Sequence, residues 1–148
     1  MPAVQVSGQP KTGLNFLTRP RVIIGALLGI ASAVLYTITL APDILAHDSG
    51  EWQAAAVTLG ISHPPGSPAY ILIGYLFSLA PIGSLAARVS FVSVVMGATG
   101  VVAVYCFILT LFSRLLPALV AAATLAVAAQ WWGHASVATP YNAIPTVI

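Results

Sequence analysis

The sequence predicts an all-α integral membrane protein, because of its composition and three long uncharged runs. Of the 148 residues, 59% are hydrophobic and only 5% are charged, whereas soluble domains carry about 25% charged residues. The mean hydropathy is +0.98. The runs span residues 22–40, 89–112 and 115–132, and each is close to the roughly 20 residues that a membrane helix needs. The formal net charge of +2 is too small to indicate a nucleic-acid partner.

The polar N-terminal segment, residues 1–21, is predicted to be a disordered cytoplasmic tail. It contains no acid, and its basic residues are Lys11, Arg19 and Arg21. Since positive charges flank the cytoplasmic end of a membrane helix, the loop after the first helix, residues 41–88, is expected outside. The run 22–40 is longer than the ~7–15 apolar residues of a cleaved signal peptide, so we expect a retained membrane anchor.

A shorter apolar segment, residues 68–80, decides the topology. It begins after Ser67 with a proline and ends before Pro81, and at ~1.5 Å per residue it covers roughly 20 Å. The hydrocarbon core is ~30 Å thick, so its length favours a juxtamembrane helix outside the core. Arg88 is then external and Arg114 cytoplasmic. If the segment spans, these assignments reverse, and charge counting cannot decide because either arrangement leaves one arginine outside.

Residues 22–148 form the predicted membrane module, and its second half holds the two closely spaced apolar runs 89–112 and 115–132. Trp131 and Trp132 close the second run as an interfacial aromatic pair. Cys106 lies within an apolar run and is interpreted as a small buried hydrophobe. The final residues, "YNAIPTVI", look like the beginning of another apolar helix. We therefore expect the chain to be the N-terminal part of a longer membrane protein.

The acids of the chain gather in one polar stretch just after the first predicted span. Asp48 and Glu51 have the D-x-x-E form of a helix capping box, with Asp48 as the cap of a helix over residues 49–59. One interpretation is that both acids only cap this helix. The other is catalytic, because an acid packed at a membrane surface is costly and needs a reason. The two interpretations are compatible, since a capping carboxylate can also act as a base.

The stretch "SHPPGSP" follows this helix and is predicted to be a rigid loop. Pro64 and Pro65 restrict the backbone to extended forms, and Gly66 permits a turn that other residues resist. His63 would be fixed on this loop, 12 residues beyond Glu51. We expect it to return toward Asp48.

These two motifs, together with a third at the start of the next span, resemble the DUF2723 membrane family, which includes the TMEM260-type protein O-mannosyltransferases. The matching pieces are D-S-G-E at 48–51, A-A-x-x-L-G-I-x-H-P-P-G-x-P at 55–68, and R-V-S at 88–90. The resemblance covers roughly residues 40–141. It implies a GT-C-like N-terminal module with three transmembrane helices, in which the first external loop carries juxtamembrane helices.

The resemblance also implies an activity and roles for named residues. The activity is transfer of a sugar, of mannosyl type, from a polyprenyl-phosphate donor in the membrane lipid to a hydroxyl of an acceptor protein or glycan, without metal or other cofactor. Asp48 is the expected base, and Glu51 is a second candidate or an orienting partner. Arg88 is the expected phosphate ligand, although its residue type alone favours an interfacial anchor, and His63 binds phosphate or acceptor. The site would lie on the external face of the plasma (inner) membrane.

One part of the family pattern is missing. The family tends to carry an E-V-Y-like motif after its third helix, where this chain has "SVATPYNA". Thr139 or Pro140 stands at the acidic position, while Tyr141 is kept and is expected to bind substrate. His134 is interpreted as an interfacial polar residue.

Two further interpretations remain open. One is a transporter or scaffold fragment, which would carry polar residues within its spans. A metalloenzyme would use the acids and histidines of the polar stretch, but no H-E-x-x-H spacing supports it. Its ligands would be His47, Asp48, Glu51 and His63.

Overall fold

The computed structural model describes residues 18–45, 48–64 and 66–142, and this part of the chain is helical. Six helices follow one another along it. They are α1 (Arg19–Ile38), α2 (Asp48–Thr58), α3 (Pro68–Ser78), α4 (Leu85–Phe112), α5 (Leu115–Val127) and α6 (Ala129–Ala135).

Two of these helices, α1 and α4, are long and apolar enough to cross a membrane, with 20 and 28 residues. A third span is possible if α5 and α6 are counted together. The predicted all-α membrane architecture is therefore confirmed, with two or three spans among the described residues. The run 115–132, predicted as one transmembrane helix, is divided at Ala128 into α5 and α6, which meet at 62°.

The bend is stabilised by contacts that a single run of sequence does not reveal. Ala128 takes an extended backbone conformation, φ −62° and ψ 123°, which interrupts the helical hydrogen bonds. The Tyr36 hydroxyl donates to the carbonyl of Ala126 at 2.9 Å. The indole N–H of Trp131 donates to the Gly97 carbonyl at 3.2 Å. Side chains from α1 and α6 thus bind backbone groups on neighbouring helices and fix α6 in its bent position.

Several helix ends differ from the predicted bounds. Helix α1 begins at Arg19, so residues 19–21 belong to the helix and not to the predicted tail, of which residues 1–17 lie outside the described residues. Pro20 is tolerated there because the first turn of a helix needs no backbone donor. Helix α4 begins at Leu85, four residues before the predicted 89, because the Ser84 hydroxyl caps it by accepting from the Ala87 N–H at 3.2 Å.

Helices α1 and α4 run antiparallel. At one end of the bundle, Arg21 at the start of α1 donates to the carbonyl of Ser113, just beyond α4, at 3.2 Å. At the other end, the hydroxyl of Ser84 donates to the carbonyl of Pro42, just beyond α1, at 2.8 Å. The segment between Pro42 and Ser84, which holds α2 and α3, therefore leaves and rejoins the bundle at the same end. We call this end, with α2, α3, the start of α4 and α6, the polar end.

The polar end has its own buried core. Trp52 on α2 and Tyr70 on α3 are 2% and 1% exposed and pack with Val89 and Ala138. The Tyr70 hydroxyl lies 3.1 Å from the Ser93 hydroxyl, which in turn donates to the carbonyl of Thr139 at 3.0 Å. This core joins α2, α3, α4 and the segment after α6, so the polar residues above it stand on a fixed base.

The close approach of α4 and α6 gives a prediction about stability. A Cβ at Gly97 would lie 2.7 Å from the Cβ of Ala135 and 3.3 Å from Nδ2 of Asn142. Because neither helix can yield without loss of packing, Gly97→Ala should lower the free energy of unfolding by about 1–3 kcal/mol. Thermal unfolding in detergent measures this. Gly133→Ala is the matched control, since nothing lies within 4 Å of its added Cβ and alanine is the better helix former by about 1 kcal/mol. An equal change in the free energy of unfolding for both substitutions would contradict the close packing of α4 against α6 at Gly97.

A second prediction is that the two ends of the helix bundle lie on opposite sides of the membrane. Ile61, in the loop between α2 and α3, is 98% exposed, and Ser113 is exposed at the opposite end of the bundle. In a Cys106→Ala background, an impermeant thiol reagent applied to intact cells should label Ile61→Cys and not Ser113→Cys. Permeabilised cells should give labelling at both positions. Labelling of Ser113→Cys in intact cells, with Ile61→Cys protected, would reverse the predicted orientation.

Candidate functional site

The carboxylate of Glu51 binds His63 through both of its oxygens. The backbone N–H of His63 donates to Oε1 at 2.6 Å, and Nδ1 of the ring lies 2.9 Å from Oε2. The two side chains are partly exposed, at 43% for Glu51 and 37% for His63. The loop with "HPPG" is thereby bound to the first turn of α2.

This pairing determines the chemical state of both groups. The hydrogen bonds from the His63 backbone and then from its ring lower the pKa of Glu51. An ionised carboxylate only accepts hydrogen bonds, so Nδ1 of His63 must carry a proton. Nε2 is the nitrogen that remains for a substrate, and it has no hydrogen-bond partner among the described residues.

Neighbouring residues position the His63 ring. The Trp52 ring lies 5.5 Å from it, centroid to centroid, and 5.9 Å from the Tyr70 ring. Gly66 has φ +70°, as its place in the predicted turn requires, and a Cβ there would have no neighbour within 4 Å. The ring is thus supported by the buried core on one side and by the turn on the other.

Two expectations about these acids are wrong. His63 contacts Glu51 and not Asp48, because the loop places both its backbone N–H and its ring Nδ1 at the Glu51 carboxylate. The capping box is not formed as predicted either, since α2 already includes Asp48 and the Glu51 carboxylate is used by His63. His47 precedes the helix and, like Pro65, lies outside the described residues.

Asp48 is exposed in the first turn of α2 and has no side-chain hydrogen bond within the described part of the chain. Residues three apart on a helix are neighbours on one face, so Asp48 and Glu51 lie side by side. The two acids therefore differ in availability. Glu51 is fully engaged, while Asp48 is open to solvent and to a substrate.

Arg88 is fixed by three backbone carbonyls. Its Nε donates to Ile82 at 3.0 Å, one Nη to Ser78 at 3.0 Å and the other to Gly83 at 2.9 Å. These bonds close the end of α3 and the loop after it. Since a guanidinium has five N–H groups, two remain for another partner.

Arg88 also lines an apolar groove of about 400 Å³ at the polar end. The groove lies between the end of α1, the end of α3 and the start of α4. Its other lining residues are Thr37, Leu40, Phe77, Ala80, Ile82, Ala87 and Phe91. Arg88 is the charged residue in this lining, so the groove combines hydrocarbon walls with one cation.

Tyr141 lies in a different cavity, where α5 bends into α6. Its ring contacts that of His134, with centroids 5.2 Å apart and an edge-to-face orientation. The cavity measures about 590 Å³, and Tyr141 is 43% exposed there. Thr139, at the position where the family tends to have an acid, is 6% exposed and bonded to Ser93.

The structure thus brings Glu51 and His63 together with Asp48 beside them, while Arg88 and Tyr141 each line a separate cavity. Sequence reasoning missed the cavity at the bend, because no proline or glycine marks Ala128. It also missed a group of buried polar atoms on α2 and the loop after it that have no hydrogen-bond partner in the described part of the structure. They belong to Ser49, Trp52, Gln53 and Ser62.

Unpaired buried polar atoms are rare in folded proteins, and each carries a cost of about 1–3 kcal/mol. Their concentration around Glu51 and His63 distinguishes α2 from the other helices. The described residues contain no group of three or more His, Cys, Asp or Glu that is suited to hold a metal ion. Of the four ligands in the metalloenzyme interpretation, His47 lies outside these residues.

Comparison with known proteins agrees with the motifs of the polar end. The family model described as the protein O-mannosyl-transferase TMEM260 N-terminal domain matches residues 48–147. The chain is 29% identical over 104 residues to protein O-mannosyl-transferase tmem260 of Dictyostelium discoideum, which covers 68% of this chain and 13% of that protein. It is 38% identical over 93 residues to protein O-mannosyl-transferase TMEM260 of Mus musculus, covering 62% and 13%. The chain therefore spans about an eighth of the length of these relatives. No solved structure matches it significantly.

Proposed function

Because the chain belongs to the family of the TMEM260 protein O-mannosyl-transferase N-terminal domain, we propose that its polar end contributes to transfer of a mannosyl group to a protein hydroxyl. The donor is a mannose linked to polyprenyl phosphate in the membrane, and the acceptor is a serine or threonine. The module is of GT-C type, and its polar end lies on the external face of the plasma membrane. The family's relatives carry the activity in their names.

The observation that carries this proposal is that, of the two acids on α2, one is hydrogen-bonded through both oxygens and the other is open to solvent. Both oxygens of Glu51 accept hydrogen bonds from His63, and its pKa is lowered, so it is a poor proton acceptor. Asp48, one helical turn away, is exposed and has no hydrogen-bond partner among the described residues. This difference supports Asp48 as the base and Glu51 as the residue that positions His63.

The chemical step follows from these roles. Asp48 accepts the proton of the acceptor hydroxyl, and the oxygen forms a bond to C1 of the mannose. The bond from C1 to the phosphate oxygen breaks, and its electron pair remains on the leaving polyprenyl phosphate. Nε2 of His63 lies on the same helix–loop unit and can contact the acceptor hydroxyl or a phosphate oxygen. The proton on Asp48 is then lost to water.

The apolar groove with Arg88 supports a polyprenyl-phosphate donor. Its hydrocarbon walls suit isoprene units, and a guanidinium is always charged and binds phosphate in a planar, bidentate way. The three carbonyl contacts hold the guanidinium in one orientation. The phosphate would use the two N–H groups that remain.

Arg88→Lys tests this assignment. Lysine keeps the charge and loses the fork geometry, so we expect KM for the lipid-linked donor to rise about tenfold, equivalent to about 1.4 kcal/mol. KM for the acceptor peptide should change little. The protein's membrane level and thermal unfolding are measured in parallel, because the lost carbonyl contacts also weaken the loop. Arg114→Lys, at the opposite end of the bundle, is the matched control. A donor KM equal to that of the control would remove Arg88 from the donor site.

The transporter interpretation receives less support. Hydroxyls within the spans are bonded internally: Ser32 and Thr99 bond the backbone of their own helix, to Leu28 at 2.8 Å and to Val95 at 2.9 Å, and Ser93 bonds Thr139 in the buried core. Such groups do not present a polar path for a solute. The polar residues instead concentrate at one end, as a site at the membrane surface requires.

A further inference from the structure

The cavity at the bend between α5 and α6, here called the bend recess, contains Tyr141, which the family resemblance suggests as a substrate ligand, and further groups that the proposed transfer step does not use. Its volume is about 590 Å³, within the range of about 300–1,000 Å³ for sites of small ligands. Its polar lining consists of Gln130, His134, Tyr141 and Asn142, with Trp131 beside them. The side chains of Gln130, His134 and Tyr141 have no hydrogen-bond partner among the described residues.

The chemistry of this lining narrows the class of ligand. Its described residues offer two amides, an imidazole, a phenol and an indole beside the apolar Leu125 and Ala128, and include no Arg, Lys, Asp or Glu. A phosphate or a charged peptide group would gain no ion pair there. Aromatic rings offer apolar faces to the C–H groups of a sugar, and amide and phenol groups both donate and accept hydrogen bonds with hydroxyls. An uncharged ligand with many hydroxyls fits these groups.

We propose that the bend recess binds a pyranose ring. This inference rests on the proposed function and deepens it, since the ring is either the mannose of the lipid-linked donor or a sugar on the acceptor. Tyr141 and His134, in edge-to-face contact, form an aromatic wall, and Gln130 binds ring hydroxyls. The phosphate of the donor lies elsewhere, with Arg88, which agrees with the absence of charge in the recess lining.

The recess and the Glu51–His63 pair border the same buried core. Tyr141 follows Ala138 by three residues, so their Cα atoms are at most about 11 Å apart. Ala138 belongs to the buried core around Trp52, and the Trp52 ring contacts His63. The recess lining and the Glu51–His63 pair are thus connected through one buried core.

The test measures binding in the Asp48→Asn background, where no transfer interferes. The purified protein in lipid nanodiscs is titrated with methyl α-mannopyranoside, with polyprenyl-phosphate mannose and with sugar-free polyprenyl phosphate. Tyr141→Phe and Gln130→Ala should each raise the Kd of a mannose-bearing ligand about fivefold, the loss of one hydrogen bond of about 1 kcal/mol. The Kd of sugar-free polyprenyl phosphate should not change. Tyr75→Phe on α3, outside the recess lining, is the matched control and should leave every Kd unchanged.

The two mannose-bearing ligands distinguish the sources of the ring. An effect on polyprenyl-phosphate mannose, with or without one on the free mannoside, assigns the recess to the donor sugar, whereas an effect on the free mannoside alone assigns it to a sugar of the acceptor. Unchanged Kd values for both ligands in both variants would overturn the inference. Failure of the proposed function is a separate result. In that case the protein with its native Asp48 would bind mannose in the recess but would transfer none.

Discussion

Asp48→Asn is expected to reduce mannosyl transfer by about 10²- to 10⁴-fold, the contribution typical of a general base. Asparagine has nearly the same shape and cannot take the proton of the acceptor hydroxyl. Since Asp48 is exposed and bonded to none of the described side chains, the fold should not change. The measurement is the initial rate of transfer to a serine- or threonine-containing peptide, with the amount of protein in the membrane determined on the same samples.

A matched control exists on the same loop. Asp43 is also an exposed acid, and its Oδ1 accepts a hydrogen bond from the N–H of Ile44 at 2.8 Å. Asp43→Asn removes an equal charge from the polar end and should retain most of the activity. If the two substitutions reduce the rate equally, general electrostatics and not base catalysis explains the effect of Asp48.

Glu51→Gln is expected to have the second-largest effect, lowering turnover by about tenfold or more. The glutamine amide can accept from the His63 backbone, but its NH₂ group faces Nδ1 and favours the ring tautomer with the proton on Nε2. The ring nitrogen that faces the substrate is then changed from acceptor to donor in the neutral form. Turnover at pH 7 is the first readout. Protection of the His63 amide in hydrogen exchange is the second, and it should fall in the variant.

The pH dependence of the Glu51–His63 contact has a definite sign. The pKa of Glu51 in the folded protein is lowered from its ordinary value of 4.5. The contact therefore contributes its full stability at a pH above 4.5, and this stability is lost as the pH falls through the lowered pKa. Amide protection at His63, corrected for intrinsic exchange, should therefore decrease in acid in the native protein and not in Glu51→Gln. Thr58→Val, at the far end of α2, is the control for a general change in the helix. Native turnover and unchanged protection in Glu51→Gln would show that the pair has no positioning role.

The helices could be predicted from the sequence where apolar length and start signals dominate. The runs that became α1 and α4 are uncharged over about the thickness of a membrane, which favours a helix whatever its neighbours. Pro68 at the start of α3 and Gly60 just after α2 are local sequence features, so the predicted bounds of both helices lie within two residues of those in the structure. The left-handed conformation of Gly66 was predictable for the same reason.

The bend at Ala128 and the pairing of Glu51 with His63 could not be predicted in this way. The sequence "LAVAAQWW" around the bend contains no helix breaker, and the bend depends on Tyr36 and Gly97, which come from helices distant in the sequence. From the sequence, either Asp48 or Glu51 could be the contact of a histidine on the rigid loop. Only the three-dimensional path of residues 59–63 decides that His63 contacts Glu51.

The most direct test of Asp48 as the base and of a lipid-linked donor is the transfer reaction itself. Membranes from cells that express the protein are incubated with polyprenyl-phosphate mannose, labelled in the sugar, and a serine- or threonine-containing peptide. We expect label on the peptide that alkaline β-elimination releases. The Asp48→Asn protein should give at least about a hundredfold less of it. Equal labelling by the native and Asp48→Asn proteins, or transfer from a soluble nucleotide-linked mannose and not from the lipid-linked one, would contradict these assignments.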